Sequence, residues 1–410
     1  MRGREVAIVG AHATPQLKDA EGPSLDLALT SLRRALDDAG LTKSALDGIF
    51  ASETVWPLAP GRGGEYFRYA NWATQLGIPV RWFTGAVNSA HTGASAINDA
   101  AAAIAAGYVD TIAVVVGRSS TSDLPGATVD YTRTDFAWTA WTGSYTSAQH
   151  ALVACRHMDR YGTTPEQLAL AAAVSRNHGR NHPDARMAGR GPYSVADILA
   201  SEMISSPLTR LMCSVPSTGG SAVIVTTMER ARDLPGRPVR VLGGGDQLCY
   251  PAWAEAPLLE LPNGQPFPTA WVDHAFEMSG VRREDVDVVQ LSDTFAIAQI
   301  LQWEMLGFCS VGEGGPYIES GVTGLAGRHP TCTDGGLQAF GNNGSPGLDR
   351  VVEAVRQLRG DVADGCPEAP DGVHIYDPDF CRAARSPEVA LALTVGPPTG
   401  GGSVVLLARG

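Results

Sequence analysis

The stretch AVNSAHTGASAIND, Ala86 to Asp99, follows a turn-rich segment and opens onto an alanine-rich run that reads as a helix over Ala100 to Ala106. The apolar run TIAVVVG, Thr111 to Gly117, comes next and reads as a strand. A strand, elbow and helix in that order is a layout in which enzymes place a nucleophile, because the helix start offers free N–H groups and the positive end of a dipole. This elbow has no cysteine, and its hydroxyls have no evident paired base. It does have a counterpart: AFGNNGSPGLDRVVEAVRQLRG, Ala339 to Gly360, is a second glycine-rich elbow opening onto an amphipathic helix.

Working outward, the two elbows sit in two similar halves. The first begins with the strand pattern REVAIVG (Arg4 to Gly10) and the periodic helix SLDLALTSLRRALDDAGL (Ser24 to Leu41), which stops at Gly40. The second begins with RPVRVLG (Arg237 to Gly243) and reaches AWVDHAFEMSGV (Ala270 to Val281), which stops at Gly280. AGLTKSALDGIFASET (Ala39 to Thr54) and SGVRREDVDVVQLSDT (Ser279 to Thr294) then share a helix-ending glycine, a polar spacer and an LD or VD pair before a strand. The second half closes with VALALTVG (Val389 to Gly396) and GGSVVLLARG (Gly401 to Gly410), matched in the first by GSAVIVTTMERA (Gly220 to Ala231). Alternating strands and helices in two like halves predict a duplicated α/β unit of layered helices and sheets. The predicted organisation is a first half over 1–119, a loop or lid domain over 120–212, a closing strand of the first half over 213–235, and a second half over 236–410. The inserted piece is rich in Thr, Tyr, Trp, His and Arg and then helical in TPEQLALAAAVSRNHGRN, and an excursion of that size often covers a site.

Composition narrows the function classes. The 410 residues are 44% hydrophobic and can bury a large core. A formal charge of −12 without a Lys/Arg run disfavours nucleic-acid and anionic-membrane binding. No secretory signal or apolar run of ~18 residues is present, which predicts a cytoplasmic protein. The seven scattered cysteines contain no CxxC pair and read as free thiols.

Five motifs in order carry a resemblance: AVNSAHTGASAI, YGTTPEQLA (Tyr161 to Ala169), SSPLTRLMCSVPSTGGSAVIV (Ser205 to Val225), QLSDTFAIAQILQWEMLGFC (Gln290 to Cys309) and CTDGGLQAFGNNGSPG (Cys332 to Gly347). Essentially end to end, the chain resembles the thiolase superfamily, in particular sterol-carrier-protein-type thiolases and their lipid-transfer-protein relatives. The resemblance implies the thiolase fold, a duplicated five-layered α-β-α-β-α architecture with an inserted loop domain, and a homodimer. It also implies four catalytic positions, and the sequence departs from the pattern at each. The cysteine position falls on Ala90; the His of a Gly-His-Pro turn on Asn342, with Asn343 in place of Pro; the paired motif on Ser292 and Asp293 before Thr294-Phe295; and the C-terminal Cys or His on Val395 or Gly396.

Thiolytic acyl transfer needs a thiolate, a His to activate it and a second acid/base. A retro-aldol cleavage next to a thioester needs only a base and an oxyanion hole. Asn342 and Asn343 offer amide donors in a glycine-rich turn, while Ser89, Thr92 and Gly93 at the first elbow and Gly335 and Gly336 at the second are expected to hold the CoA thioester. Certain cysteine-less relatives cleave steroid side-chain CoA thioesters together with a small OB-fold, zinc-ribbon protein. They resemble this chain, but they use tyrosines where it has Ser292 and Phe340. The base is then His91, Asp293, or a loop-domain tyrosine such as Tyr131 or Tyr145.

Each residue also has a plain structural use. His91 fits a ring bonded to a backbone carbonyl, Asp293 a cap on the helix TFAIAQILQWEML, and the asparagines a left-handed turn. His178 and His182 have the spacing of a metal pair, but without an acidic or Cys ligand they read as a solvated loop. The glycine runs at Gly243 to Gly245 and Gly400 to Gly402 lack the spacing of a phosphate cradle. No cofactor is expected beyond the CoA that an acyl-CoA substrate carries, and no metal. Three functions remain: a C–C lyase on a bulky β-hydroxyacyl-CoA, an acyltransferase or condensing enzyme, or a noncatalytic partner-binding subunit.

Overall fold

The computed structural model describes residues 3–19, 24–51, 69–85, 93–118, 146–248, 267–343, 347–396 and 401–410. Nine strands form one ladder: β1 Val6–Ala13, β2 Gly48–Ala51, β3 Trp82–Thr84, β4 Thr111–Arg118, β5 Gly219–Thr227, β6 Val239–Leu248, β7 Val288–Gln290, β8 Val389–Gly396 and β9 Gly401–Arg409. Their order is β3-β2-β4-β5-β1-β6-β9-β8-β7. Read from the middle outward, the two sides repeat each other. On one side β1 pairs antiparallel with β5, β5 antiparallel with β4, and β4 parallel with β2. On the other β6 pairs antiparallel with β9, β9 antiparallel with β8, and β8 parallel with β7. Beyond β7 a parallel bridge from Val289 to Thr331 stands where β3 stands beside β2. The halves join where β1 runs antiparallel to the start of β6, through Val6, Ala7 and Ile8.

The duplication read from hydrophobic runs is thus a duplication of sheet order. The runs are continuous because layers cover both faces of these strands. Helix α1, Ser24–Asp38, covers β1, β4 and β5 and buries Ala28, Ser31, Leu32, Ala35 and Leu36 as one stripe at helical spacing. Further along the chain, α5 (Ala270–Ser279) covers β6 and β9, and it ends in a left-handed cap at Gly280. Between the two half-sheets lie α2, Ala94–Ala105, and α8, Gly347–Arg359, each touching strands of both halves. The result is five layers.

Three corrections to the sequence reading follow. Helix α2 begins at Ala94 rather than Ala100, directly on the elbow. Helix α8 is not amphipathic in place: Asp349, Arg350, Glu353, Gln357 and Arg359 are as buried as its apolar residues, because the central layer has protein on every side. And the cysteines are not all free, since Cys366 and Cys381 form a disulfide across a segment with little regular structure, beside a small core of Val362 and Ala383. Their spacing carries no motif, so only the return of the chain brings them together.

The 119–218 excursion connects β4 to β5, which are neighbours in the sheet; the equivalent β8 and β9 are joined across 397–400 alone. Within it α3, Thr146–Tyr161, precedes α4, Pro165–Gly179, whose start carries a capping box of Thr164 and Gln167 with Pro165 in the first turn. Helix α4 lies on α6, Ala296–Met305, and on the short α7, Gly336–Ala339, so the excursion is seated over the second-half motifs.

Candidate functional site

The two elbows meet. A side chain at Gly93 would collide with the Thr394 hydroxyl (2.4 Å) and the Gly347 backbone (2.5 Å), so the starts of α2 and α8 abut with no room for a β-carbon on either. Helix α2 receives two caps from the second half: Ala94 N–H points to Thr394 Oγ1 at 3.4 Å and Ser95 N–H donates to Ser403 Oγ at 3.1 Å. Thr394 and Ser403 face each other across β8 and β9. Two of the helix's early N–H groups are therefore taken by hydroxyls, and Gly93 is a contact point between halves. Ser89, Ala90, His91 and Thr92 lie outside the described residues, as do Tyr131 and Tyr145.

The Ser292-Asp293 motif is held on three sides. Gln302 clamps the Ser292 backbone, accepting from its N–H at 2.9 Å and donating to its carbonyl at 2.7 Å, while the Ser292 hydroxyl donates to the Val395 carbonyl at 3.2 Å. Asp293 does not cap the helix that follows it. Helix α6 starts after Phe295, whose extended backbone turns the preceding residues away, and no side chain caps it. The Asp293 carboxylate instead accepts the Leu337 N–H at 2.6 Å, so it caps α7 from across the fold. It is fully buried; burial raises its pKa, against the pull of Arg350, the Leu337 N–H and the Ser175 hydroxyl.

Next to it, CTDGG forms a tight charged turn. Asp334 grips Arg350 of α8 with both oxygens, at 2.7 and 2.6 Å, and also accepts the Gly336 N–H at 2.9 Å. Burial opposes the Arg350 charge, but Asp334, with Cys332 and Asp293, outweighs it and raises its pKa. Gly335 and Gly336 have φ of +103° and +59°. A β-carbon on the first would meet the Gly179 α-carbon at 2.5 Å, and one on the second the Asp293 carboxylate at 2.2 Å. Both glycines are turned into the protein, where α4 and the carboxylate close on them.

Asn342 is half-buried, and its Nδ2 donates to the Ser214 hydroxyl at 3.1 Å. Asn343 is buried and its Nδ2 donates to Asp349 at 3.3 Å; the other Asp349 oxygen accepts the Ser221 hydroxyl. Burial pushes the Asp349 pKa up to about 6, against the attraction of Arg350 and these hydrogen bonds. The sequence reading passed over Ser214, Asp334, Asp349 and Arg350. The one available signal was charge on the α8 face that the elbow helix turns inward.

Of the described free thiols, Cys155 is exposed on α3 and the other three are buried or half-buried. Cys213, next to Ser214, donates to the Thr209 carbonyl, and burial pushes its pKa to about 11; burial likewise pushes Cys309 to about 12 and raises Cys332. His178 and His182 are buried rather than solvated: His178 Nδ1 donates to the Thr331 carbonyl at 2.7 Å, and His182 Nδ1 accepts the Asp184 N–H at 3.1 Å with its ring 4.9 Å from Phe340. Burial lowers the pKa of His178 to about 4. Among the described residues no three His, Cys, Asp or Glu side chains are set to hold a metal ion. Gly243 to Gly245 lie inside β6, where a β-carbon at Gly245 would strike the Trp271 carbonyl at 2.0 Å; Gly243 and Gly245 admit α5 and Gly244 admits Asn98 of α2, not a phosphate. No described helix is long and apolar enough to cross a membrane.

Residues 6–181 match the family of the thiolase N-terminal domain, and residues 269–371 the family described as thiolase C-terminal domain-like. The chain is 30% identical to an acetyl-CoA acetyltransferase of Methanothermobacter thermautotrophicus, over 88% of this chain and 92% of that one. It is equally 30% identical to a 17-hydroxy-3-oxo-4-pregnene-20-carboxyl-CoA lyase of Mycobacterium tuberculosis, over 88% and 93%. Among solved structures it is similar to the Ltp2-ChsH2(DUF35) aldolase, with 26% identity, a TM-score of 0.83 and coverage of 100% of this chain and 99% of that one.

Proposed function

The chain belongs to the thiolase superfamily and is an enzyme of that superfamily, and from this premise we propose that it is a retro-aldol C–C lyase acting on a bulky β-hydroxyacyl-CoA, such as one bearing a steroid side chain. Two relatives of equal identity, an acetyltransferase and a lyase, point to different chemistries. The observation that supports the lyase reading is Ala90 at the acyl-cysteine position, together with Cys213 and Cys332, whose protons are held by burial. An alanine cannot carry an acyl group.

In the reaction a base removes the β-hydroxyl proton, the O–H electrons become the carbonyl of the departing ketone or aldehyde, and the Cα–Cβ pair moves onto the thioester as an enolate. Protonation at Cα gives the shortened acyl-CoA, so no acyl-enzyme, water or redox partner is consumed. Asn342 is our choice for the enolate-oxygen donor, since the residue is half-buried and within reach of a ligand while Asn343 is buried. We assign the base to His91 and a positioning part to Asp293, whose buried carboxylate holds Leu337. In this reading the enzyme works as a homodimer with a small OB-fold, zinc-ribbon subunit; the aldolase of similar structure is itself named with a DUF35 partner.

The test incubates the purified protein, alone and with such a subunit, with a panel of β-hydroxyacyl-CoAs and follows both products by liquid chromatography and mass spectrometry. Cleavage into a carbonyl compound and an acyl-CoA, lost in His91→Ala, is expected. An acyl mass increment on the protein, or no cleavage of any member of the panel, overturns the proposal.

A further inference from the structure

Resting on the lyase reading above, we infer that Ser214 is a positioning residue for the reaction: it fixes the amide of Asn342 and, with its neighbours, locks the two second-half motifs into one frame.

Residues 213–217 are the exit of the long excursion, just before β5, and they run between the two motifs. Cys213 bridges antiparallel to Phe295, and Ser214 N–H donates to the Thr294 carbonyl at 2.8 Å. Val215 N–H then donates to the Leu337 carbonyl at 2.9 Å, and its own carbonyl accepts the Asn342 N–H at 2.8 Å. Pro216 bridges parallel to Asn342, and Ser217 N–H donates to the Asn342 carbonyl at 3.2 Å. Five residues thus fasten the backbone of the Ser292-Asp293-Thr294-Phe295 motif to that of α7 and Asn342, although the three segments are far apart in sequence.

These bonds are backbone bonds and hold the frame whatever side chain stands at 214. The Ser214 hydroxyl adds something separate: it accepts from Asn342 Nδ2 at 3.1 Å, a side-chain bond between two half-exposed residues. An oxyanion donor acts only when its N–H is already aimed at the place where charge develops, and a free asparagine side chain has two torsions to lose. A hydroxyl that accepts one amide proton restrains those torsions before substrate arrives. Arg176 supports the strut from beneath, donating to the Leu211 carbonyl at 2.6 Å and to the Cys213 carbonyl at 2.9 Å. The excursion therefore does more than cover the site; its last residues build part of it.

The test uses the full-length protein, with its subunit if turnover requires it, and compares wild type, Ser214→Ala, Ser214→Thr, Asn342→Ala and the S214A/N342A double variant on a cleaved β-hydroxyacyl-CoA. Losing one orienting hydrogen bond is expected to lower kcat about tenfold with KM within about twofold and the melting temperature nearly unchanged. The S214T variant restores kcat, because it restores the hydroxyl. The double variant is expected to be no slower than Asn342→Ala alone, since one side chain acts through the other. Full activity in S214A, a rise in KM alone, or independent losses in the double variant overturns the inference while leaving the lyase reading intact. Absence of cleavage by wild type across the panel overturns the lyase reading, and this inference with it.

Discussion

Replacing Asp349 with Asn is expected to change how stability depends on pH. Asp349 stands in the first turn of α8, 1% exposed, with Ser221 on one oxygen and Asn343 on the other. Burial raises its pKa from 3.8 to about 6. The difference between 3.8 and about 6 is worth about 3 kcal/mol. Because the folded pKa lies above the unfolded one, the folded state holds this proton more tightly. The stabilising contribution is complete below the unfolded pKa and is lost as pH rises through about 6. An asparagine does not titrate, so D349N lacks this pH-dependent loss. Between pH 4.5 and 7.5 the unfolding free energy of D349N should gain about 2 kcal/mol on wild type, most of the full linkage. Any constant offset reports the altered contact with Asn343. The assay is urea unfolding of both proteins at matched pH values. A difference that stays flat across this range refutes the claim that Asp349 is held by burial in a raised state, and with it the electrostatic picture of the second elbow.

Two further substitutions probe the same region. Arg350→Met leaves Asp334 buried without its bidentate partner, and a loss of about 3–5 kcal/mol of unfolding free energy, read from urea unfolding, is expected, with much of it recovered when D334N is added. Gly336→Ala places a β-carbon at 2.2 Å from the Asp293 carboxylate at a φ of +59°, which should cost about 2 kcal/mol or more of stability. A variant that keeps its melting temperature but binds acyl-CoA more weakly would instead support Gly335 and Gly336 as ligand contacts.

Much of the fold was legible because the strands and the outer helices obey local rules. The VAIVG run of β1 and the stripe of α1 are buried where periodicity says they should be, and Gly40 and Gly280 end their helices for the same backbone reason. Repetition of those elements gave the duplication, and five ordered motifs gave the family. The loss of the nucleophile at Ala90 was equally a matter of sequence alone.

What the sequence by itself left open is everything that depends on burying charge or on bringing distant segments together. Helix α8 has the composition of a surface helix; only the two half-sheets and Asp334 around it make its Arg350 an interior ion pair. Asp293 looked like a cap for its own helix, and the tertiary fold gave it Leu337 of another. His178 and His182, read as solvated, became core residues because the excursion that carries them packs on the second half, against Thr331 and Phe340. Ser214 carries no local signal, since its role comes from Thr294 on one side and Asn342 on the other. Hydrophobic periodicity is a property of neighbours along the chain and can be read there. The proton affinity of a carboxylate, and the aim of an amide, belong to neighbours in space.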